Sequence, residues 1–250
     1  MPITLTTEGA IARIFLANPA KHNALTAEAL ALFMDHLDVV SANGAIRALI
    51  ITNSGGKTFC SGAALQQLAS GAMSGELFST LTDRVAAMAV PTIAAINGNA
   101  YGGGAELALS CDFRVGSHGT RVFVPPARIG LCYPLSGMQR FVRRLGLTTA
   151  KRLLIAGEEF DGEQLLQHGF LTHLVDAEAV ESRAITMAST IAELAPMAVQ
   201  TMKLLCDEIA SGTVVNKTAQ KLIDRCNHSD DLREGLAAVA EKRTPVFKGI

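Results

Sequence analysis

The residues of this chain best suited to chemistry are three consecutive glycines, Gly102, Gly103 and Gly104, followed by Glu106. They lie in Pro91-Thr-Ile-Ala-Ala-Ile-Asn-Gly-Asn-Ala-Tyr-Gly-Gly-Gly-Ala-Glu-Leu-Ala-Leu-Ser-Cys-Asp112. That run reads as a buried strand over residues 92–96, a glycine turn, and an apolar helix. Without side chains, the glycines let a ligand come close to their backbone N–H groups. At a helix start those donors are unpaired and the dipole is positive, which is a place to hold an oxyanion. Glu106 follows Gly103 by about one turn, so its carboxylate can lie on the same face as the N–H. Ala105, Leu107, Ala108 and Leu109 surround it, and burial among them raises a carboxyl pKa. An acid/base beside an oxyanion site is a catalytic arrangement. The same residues also suit a glycine-rich turn before a core helix with a solvated glutamate.

A second segment of small residues is Thr58-Phe59-Cys60-Ser61-Gly62-Ala63-Ala64-Leu65. It follows an apolar strand at 48–52 and precedes a helical stretch. Two N–H donors from two separate loops are what a thioester oxyanion hole needs. Other motifs fall away. Gly56-Lys57-Thr58 ends like a phosphate-binding loop, but that pattern requires a glycine where Ile51 stands. There is no G-x-G-x-x-G fingerprint and no G-x-S-x-G elbow. The six histidines lack metal-ligand spacing. Arg140, Arg143 and Arg144 read as a solvated helix face.

The elements that must position these loops alternate. Strands at 3–7 and 11–16 flank a Glu8-Gly9 turn as a hairpin. A helix is expected over 27–40, with Thr26 as N-cap and Leu30, Phe33, Met34 and Leu37 on one face. Further helices are expected at 77–88, 136–145 and 148–156, with strands at 113–115 and 122–124. From 177 to 241 the pattern is nearly all helical, broken at Pro196 and near Gly212. Strands alternating with helices imply an α/β core with parallel strands. Charged residues make up only 18% and the formal net charge is −1, so neither nucleic acid nor an anionic membrane is an expected partner. No apolar run reaches transmembrane length, and the N-terminus lacks a secretory pattern. Five cysteines without C-x-x-C spacing suit a reduced, cytoplasmic protein.

Taken together, the motifs resemble the crotonase, or enoyl-CoA hydratase/isomerase, superfamily. Asn18-Pro-Ala-Lys-His-Asn-Ala-Leu25 is similar to that family's early N-P-x-x-x-N-A-L. Residues 59–65 resemble its F-[SC]-[AS]-G-A-D-L, with Ala64 in place of the aspartate. Residues 91–112 match its central motif almost residue for residue. Glu234-Gly235 and Glu241-Lys-Arg-Thr-Pro-Val-Phe247 resemble its ending. The resemblance implies a spiral of β-β-α units over residues 1–190. An all-helical region over 191–250 would serve trimerisation and cover the active site. It implies an acyl-CoA substrate with no other cofactor and no metal, and a homotrimer or dimer of trimers. It implies Ala63 and Gly103 as oxyanion donors and Glu106 as catalytic acid/base. Ala24, Ser61, Gly62, Ala64, Leu65, Gly102, Pro126 and Leu131 would line the substrate groove.

The chain departs from the hydratase pattern at Pro125-Pro126-Ala127-Arg128-Ile129-Gly130-Leu131, where Pro126 replaces the second catalytic glutamate. Cys132-Tyr133-Pro134-Leu135-Ser136-Gly137 also lacks the usual I-P-G-x-G-G. It resembles the methylmalonyl-CoA decarboxylase branch, in which a tyrosine occupies this place. Tyr133 is therefore expected either to act on a carboxylate or proton, or to fill the pocket wall. Hydration, double-bond isomerisation, decarboxylation of a malonyl-type thioester, and non-catalytic acyl-CoA binding all remain open at this point.

Overall fold

The computed structural model of the chain describes residues 2–250. After an antiparallel hairpin, β1 (Ile3–Glu8) and β2 (Ile11–Leu16), the chain winds as a spiral. Each turn places one strand in a large sheet and the next in a small one. The large-sheet strands are β3 (Ala48–Asn53), β5 (Thr92–Ala95) and β7 (Phe113–Ser117). Their small-sheet partners are β4 (Thr58–Cys60), β6 (Asn99–Tyr101) and β8 (Val122–Phe123). The four-stranded sheet is closed by β9 (Glu159–Phe160), and β10 (His173–Val175) completes the six-stranded sheet. Neighbours from β2 through β3, β5 and β7 to β10 run parallel. The β-β-α spiral expected from the sequence is the observed architecture.

The apolar runs of β3 and β5 explain why this sheet is covered on both faces. Side chains alternate across a strand, and a parallel sheet buries both sides. Leu49, Ile51, Ala94 and Ile96 face the main core. Ala48, Ile50, Ile93 and Ala95 face a second core made with Val180, Ala184, Met187 and Ala188 of α7 (Val180–Ala192). On the inner side sits α1 (Ala27–Ala42), whose Thr26 hydroxyl accepts from Ala29 N at 3.2 Å. Such a cap is worth about 1 kcal/mol. Phe33 and Leu37 of α1 are fully buried, which is worth about 1.5–3 kcal/mol each.

Three helices pack around the candidate site. These are α3 (Gly75–Ala86), α4 (Gly103–Ser110) and α5 (Leu135–Leu154), with the short α2 (Leu65–Ser70) at the rim. The two helices expected at 136–145 and 148–156 are both present, as the halves of α5 on either side of a kink at Gly146, whose φ of 77° leaves the helical region. The helix expected at 77–88 begins two residues earlier, because Ser74 caps Leu77 N at 3.1 Å. Beyond α6 (Gly162–Gln167) and α7, the chain ends in α8 (Pro196–Ser211), α9 (Asn216–Asn227) and α10 (Asp230–Glu241). Pro196 stands in the first turn of α8, where its missing N–H costs nothing. These three helices bury few apolar side chains, and Ile209, Leu236 and Val239 are largely exposed.

Candidate active site

The two glycine-bearing loops meet. Residues 59–65 are stitched in place by the segment before α1. Asn23 is buried in a left-handed conformation and donates to Thr58 O at 2.8 Å, while its Oδ1 accepts from Asn18 N at 2.9 Å. Leu25 N donates to Gly62 O, and Ala64 N donates to Leu25 O, each at 2.8 Å. The asparagines of the N-P-x-x-x-N-A-L motif are therefore joints that fix one loop against the other. Gly62 has φ +84°, and a Cβ there would stand 2.5 Å from Gly103 N. Only glycine lets the loops touch. Among the described residues, neither Ala63 N nor Gly103 N donates to a protein acceptor.

Helix α4 is apolar on every side and is buried from Gly104 to Ser110, as an all-round hydrophobic helix must be. Glu106 is carried inward with it, at 1% exposure. Its Oε1 accepts from Thr82 Oγ1 of α3 at 2.8 Å and from Arg140 Nη1 of α5 at 2.9 Å. Arg140 is held in turn by Asp83 Oδ1, 2.5 Å from Nη2. Burial pushes the Glu106 pKa up. The Thr82 hydrogen bond and the Arg140 charge oppose that rise without cancelling it. Oε2 has the Tyr133 hydroxyl as its near donor, a contact that also holds the Glu106 pKa down. It faces Gly137 and the Tyr133 ring, and a Cβ on Gly137 would lie 3.0 Å from Oε2 and 2.7 Å from the ring. The Tyr133 hydroxyl is buried and lacks a hydrogen-bond partner of good geometry. Burial, and then the nearby Glu106 charge, hold its pKa well above 10.

A cavity of about 260 Å³ opens in front of these groups. Glu106, Tyr133, Ala63, Gly103, Ser61, Leu65, Gly102, Pro126 and Leu131 of the expected site line it. Ala24, Gly62 and Ala64 do not. Gly62 lies behind the wall, and Ala24 and Ala64 belong to the joint beneath it. Phe78, Phe123, Tyr101 and Ile129 supply further wall that the sequence reading did not single out. Glu106 is the one carboxylate in the lining. A larger cleft of about 510 Å³ lies between α8, α9 and the end of α3. Several of its polar groups are already engaged: Arg47 donates to Phe247 O, Lys203 pairs with Asp112, and Asp207 pairs with Arg144. It has no carboxylate beside free backbone donors, so the smaller cavity is the candidate site.

One expectation is overturned. Arg140 is not on a solvated face: its side chain is 10% exposed and bridges Glu106 and Asp83. The buried face of α5 runs Gly137, Phe141, Leu145, and Arg140 stands three residues after Gly137 at its edge. That spacing was the available signal. Arg143 is exposed, as a solvated face requires.

Comparison with known proteins places this geometry. Residues 6–250 match the model of the Enoyl-CoA hydratase/isomerase family. The chain is 30% identical to the 2,3-dehydroadipyl-CoA hydratase of Escherichia coli, over 94% of this chain and 93% of that protein. It is also 30% identical to the crotonyl-CoA hydratase of Syntrophomonas wolfei, over 98% of this chain and 97% of that one. The crystal structure of an enoyl-CoA hydratase from Bacillus anthracis superposes with a TM-score of 0.90 at 29% identity and covers both chains fully. The chain belongs to the enoyl-CoA hydratase/isomerase family and is an acyl-CoA enzyme of the crotonase fold.

Proposed function

We propose that the enzyme forms a thioester enolate, with Ala63 and Gly103 N–H as the oxyanion hole and Glu106 as its one acid/base. The observation that carries this reading is a single buried carboxylate in an apolar cavity beside two free backbone donors, with Pro126 where a second glutamate is expected. The thioester oxygen accepts from the two N–H groups. When Glu106 takes a proton from the carbon next to the carbonyl, the C–H electron pair moves into the C–C–O system and the charge settles on that oxygen. Donors already aimed there stabilise the charge without reorganising. A carboxyl with a raised pKa suits both taking the proton and returning it.

Hydration needs a base for water and an acid for the α-carbon, and two glutamates divide those roles in the hydratase pattern that the sequence resembles. With one carboxylate, proton return to another carbon gives isomerisation. Loss of CO2 from a malonyl-type thioester gives the same enolate with no base, and protonated Glu106 then supplies the proton. The buried Tyr133 hydroxyl beside Glu106 supports this second route, because it stands where it can donate to the departing carboxylate. The exposed apolar side chains of α8–α10 support their use in a trimer or dimer of trimers.

The test works whatever acyl group the enzyme prefers. The enzyme is expected to exchange the C2 protons of butyryl-CoA in D2O, and Glu106→Gln is expected to lose about 10²–10⁴-fold. Crotonyl-CoA hydration is expected to be slow beside turnover of a 3-enoyl-CoA or methylmalonyl-CoA. Full exchange by the glutamine variant, or hydration faster than both alternatives, overturns the reading.

A further inference from the structure

The two oxygens of Glu106 have different surroundings, and the difference is built by residues that do not line the cavity. Oε1 is committed twice, to Thr82 Oγ1 and to Arg140 Nη1. Arg140 Nη1 also donates to Thr82 Oγ1 at 3.1 Å, so the three atoms close a triangle. The hydroxyl accepts from the guanidinium, and its one proton has two acceptors in reach, Glu106 Oε1 at 2.8 Å and Ser79 O at 3.0 Å. The carboxylate, charged and nearer, is the stronger of the two. Asp83 fixes the other arm of the guanidinium. Oε2 is left toward Tyr133 and the space that Gly137 keeps open. Neither Thr82 nor Arg140 is among the cavity residues.

We propose that Arg140 is a positioning residue for Glu106: with Thr82 it occupies Oε1, and so assigns Oε2 as the oxygen that takes and returns the substrate proton. A free carboxylate can rotate and protonate on either oxygen. Two donors on Oε1 remove that choice. They also keep the plane of the group fixed while its charge changes, because Oε1 can still accept when Oε2 carries the proton. Arg140 rather than lysine suits the task, since its fork spans two acceptors at once.

The charges around Glu106 make the sign of the test definite. Thr82 and Asp83 face it from α3, Arg140 from α5, and Tyr133 from the loop before α5. The Tyr101 phenol of β6 lines the same cavity. Cys60 of β4 is a neutral thiol, pushed by burial up to about 12. Arg140 is therefore the one cation of this set and Asp83 the one other anion. The cation lowers the Glu106 pKa and the anion raises it.

This proposal rests on Glu106 as the acid/base, and the experiment separates the two claims. The protonated carboxyl stretch of Glu106 would be followed by infrared titration and assigned by its loss in Glu106→Gln. That readout does not depend on activity. Arg140→Gln is expected to move the titration upward, and the acid limb of butyryl-CoA exchange with it. The KM for butyryl-CoA is expected to stay within about twofold. Asp83→Asn keeps an acceptor for Nη2 and is expected to move both downward. Arg140→Lys keeps the charge without the fork and is expected to restore the titration but not the rate. An unmoved titration in Arg140→Gln, or loss of KM alone, overturns the positioning role. So does a shift in the same direction for both charge variants. Full exchange by Glu106→Gln with the expected infrared shifts would overturn the acid/base reading and leave the pairing intact. Should Arg140→Gln fail to fold, the opposite shift in Asp83→Asn and the rate loss in Arg140→Lys decide the matter.

Discussion

The two walls of the cavity are made differently. One is formed by Ala63, Gly103 and Glu106, with Gly62 packed behind it, and it is fitted to within a single carbon atom. A Cβ on Gly62 would strike Gly103 N, and one on Gly103 would lie 2.7 Å from the Phe78 ring. Behind it Asn23, Thr82 and Arg140 are hydrogen-bonded joints. The opposite wall runs from Pro125 to Leu135. It holds one short 3-10 turn (Pro126–Ile129) and exposes Ile129 and Leu135 to solvent at 62% and 68%. Its one buried polar group, the Tyr133 hydroxyl, lacks a hydrogen-bond partner of good geometry. Close-packed regions tolerate little change of volume, whereas exposed segments tolerate much. The tight wall thus suits the step common to the proposed reactions, enolate stabilisation. The looser wall suits the step that distinguishes them.

The largest effect that would break this contrast belongs to the tight wall. Gly103→Val adds an isopropyl group where the N–H must meet the thioester oxygen, against Phe78. Loss of one oxyanion donor costs about 10²–10³ in rate, so C2 exchange of butyryl-CoA should fall at least that far in a folded variant. If exchange and acyl-CoA affinity both survive, the oxyanion assignment to this wall is wrong.

A smaller and more selective effect is expected on the loose wall. Tyr133→Phe removes one hydroxyl and keeps the edge-on packing of the ring against Phe141. The hydroxyl can hold the departing carboxylate perpendicular to the thioester plane, so that the breaking bond feeds the enolate. A hydrogen bond to a charged group is worth about 1.5–3 kcal/mol, so loss of that orientation should slow decarboxylation of methylmalonyl-CoA about 10–100-fold. Exchange of butyryl-CoA, which has no carboxylate to lose, should change little. Equal losses on both substrates would make Tyr133 part of the common machinery and erase the distinction between the walls.

The walls also differ in how plainly the sequence announces them. The glycines, Glu106 and the apolar helix around it are contiguous, and each residue type states its own reason for being there. Thr26 before an apolar-periodic run was readable in the same way. The small sheet was readable only at β8, where a strand was expected over 122–124. Strands β4, β6 and β9 are only two or three residues long, too short for a period of two to declare itself. Residues 99–101 pass for part of a turn. Arg140 escaped for another reason. Its partners Thr82, Asp83 and Glu106 lie 34 to 58 positions away in the chain. A charged residue at the edge of a helix face cannot show, from its own neighbours, that another helix brings a carboxylate to it.

The least effect concerns stability, and it turns on the sign of the Glu106 shift. The folded-state pKa is raised, chiefly by burial, so between the unfolded pKa and the folded one the native state binds more protons than the unfolded chain. Stability therefore falls as pH rises through that window and is lowest above the folded pKa. Glu106→Gln removes the titration and keeps the shape of the neutral form. The melting temperature of the variant minus that of the wild type should thus be smallest near pH 4 and grow towards pH 8. Each unit of pKa difference corresponds to about 1.4 kcal/mol, and about 2–4 °C of melting temperature accompanies each kcal/mol in a chain of this size. Arg140 works against the trend, because the glutamine leaves its Nη1 with a neutral acceptor. A difference that shrinks as pH rises would mean that the Arg140 pair outweighs burial. The tight wall would then hold its carboxylate in the ionised form, not poised to exchange a proton.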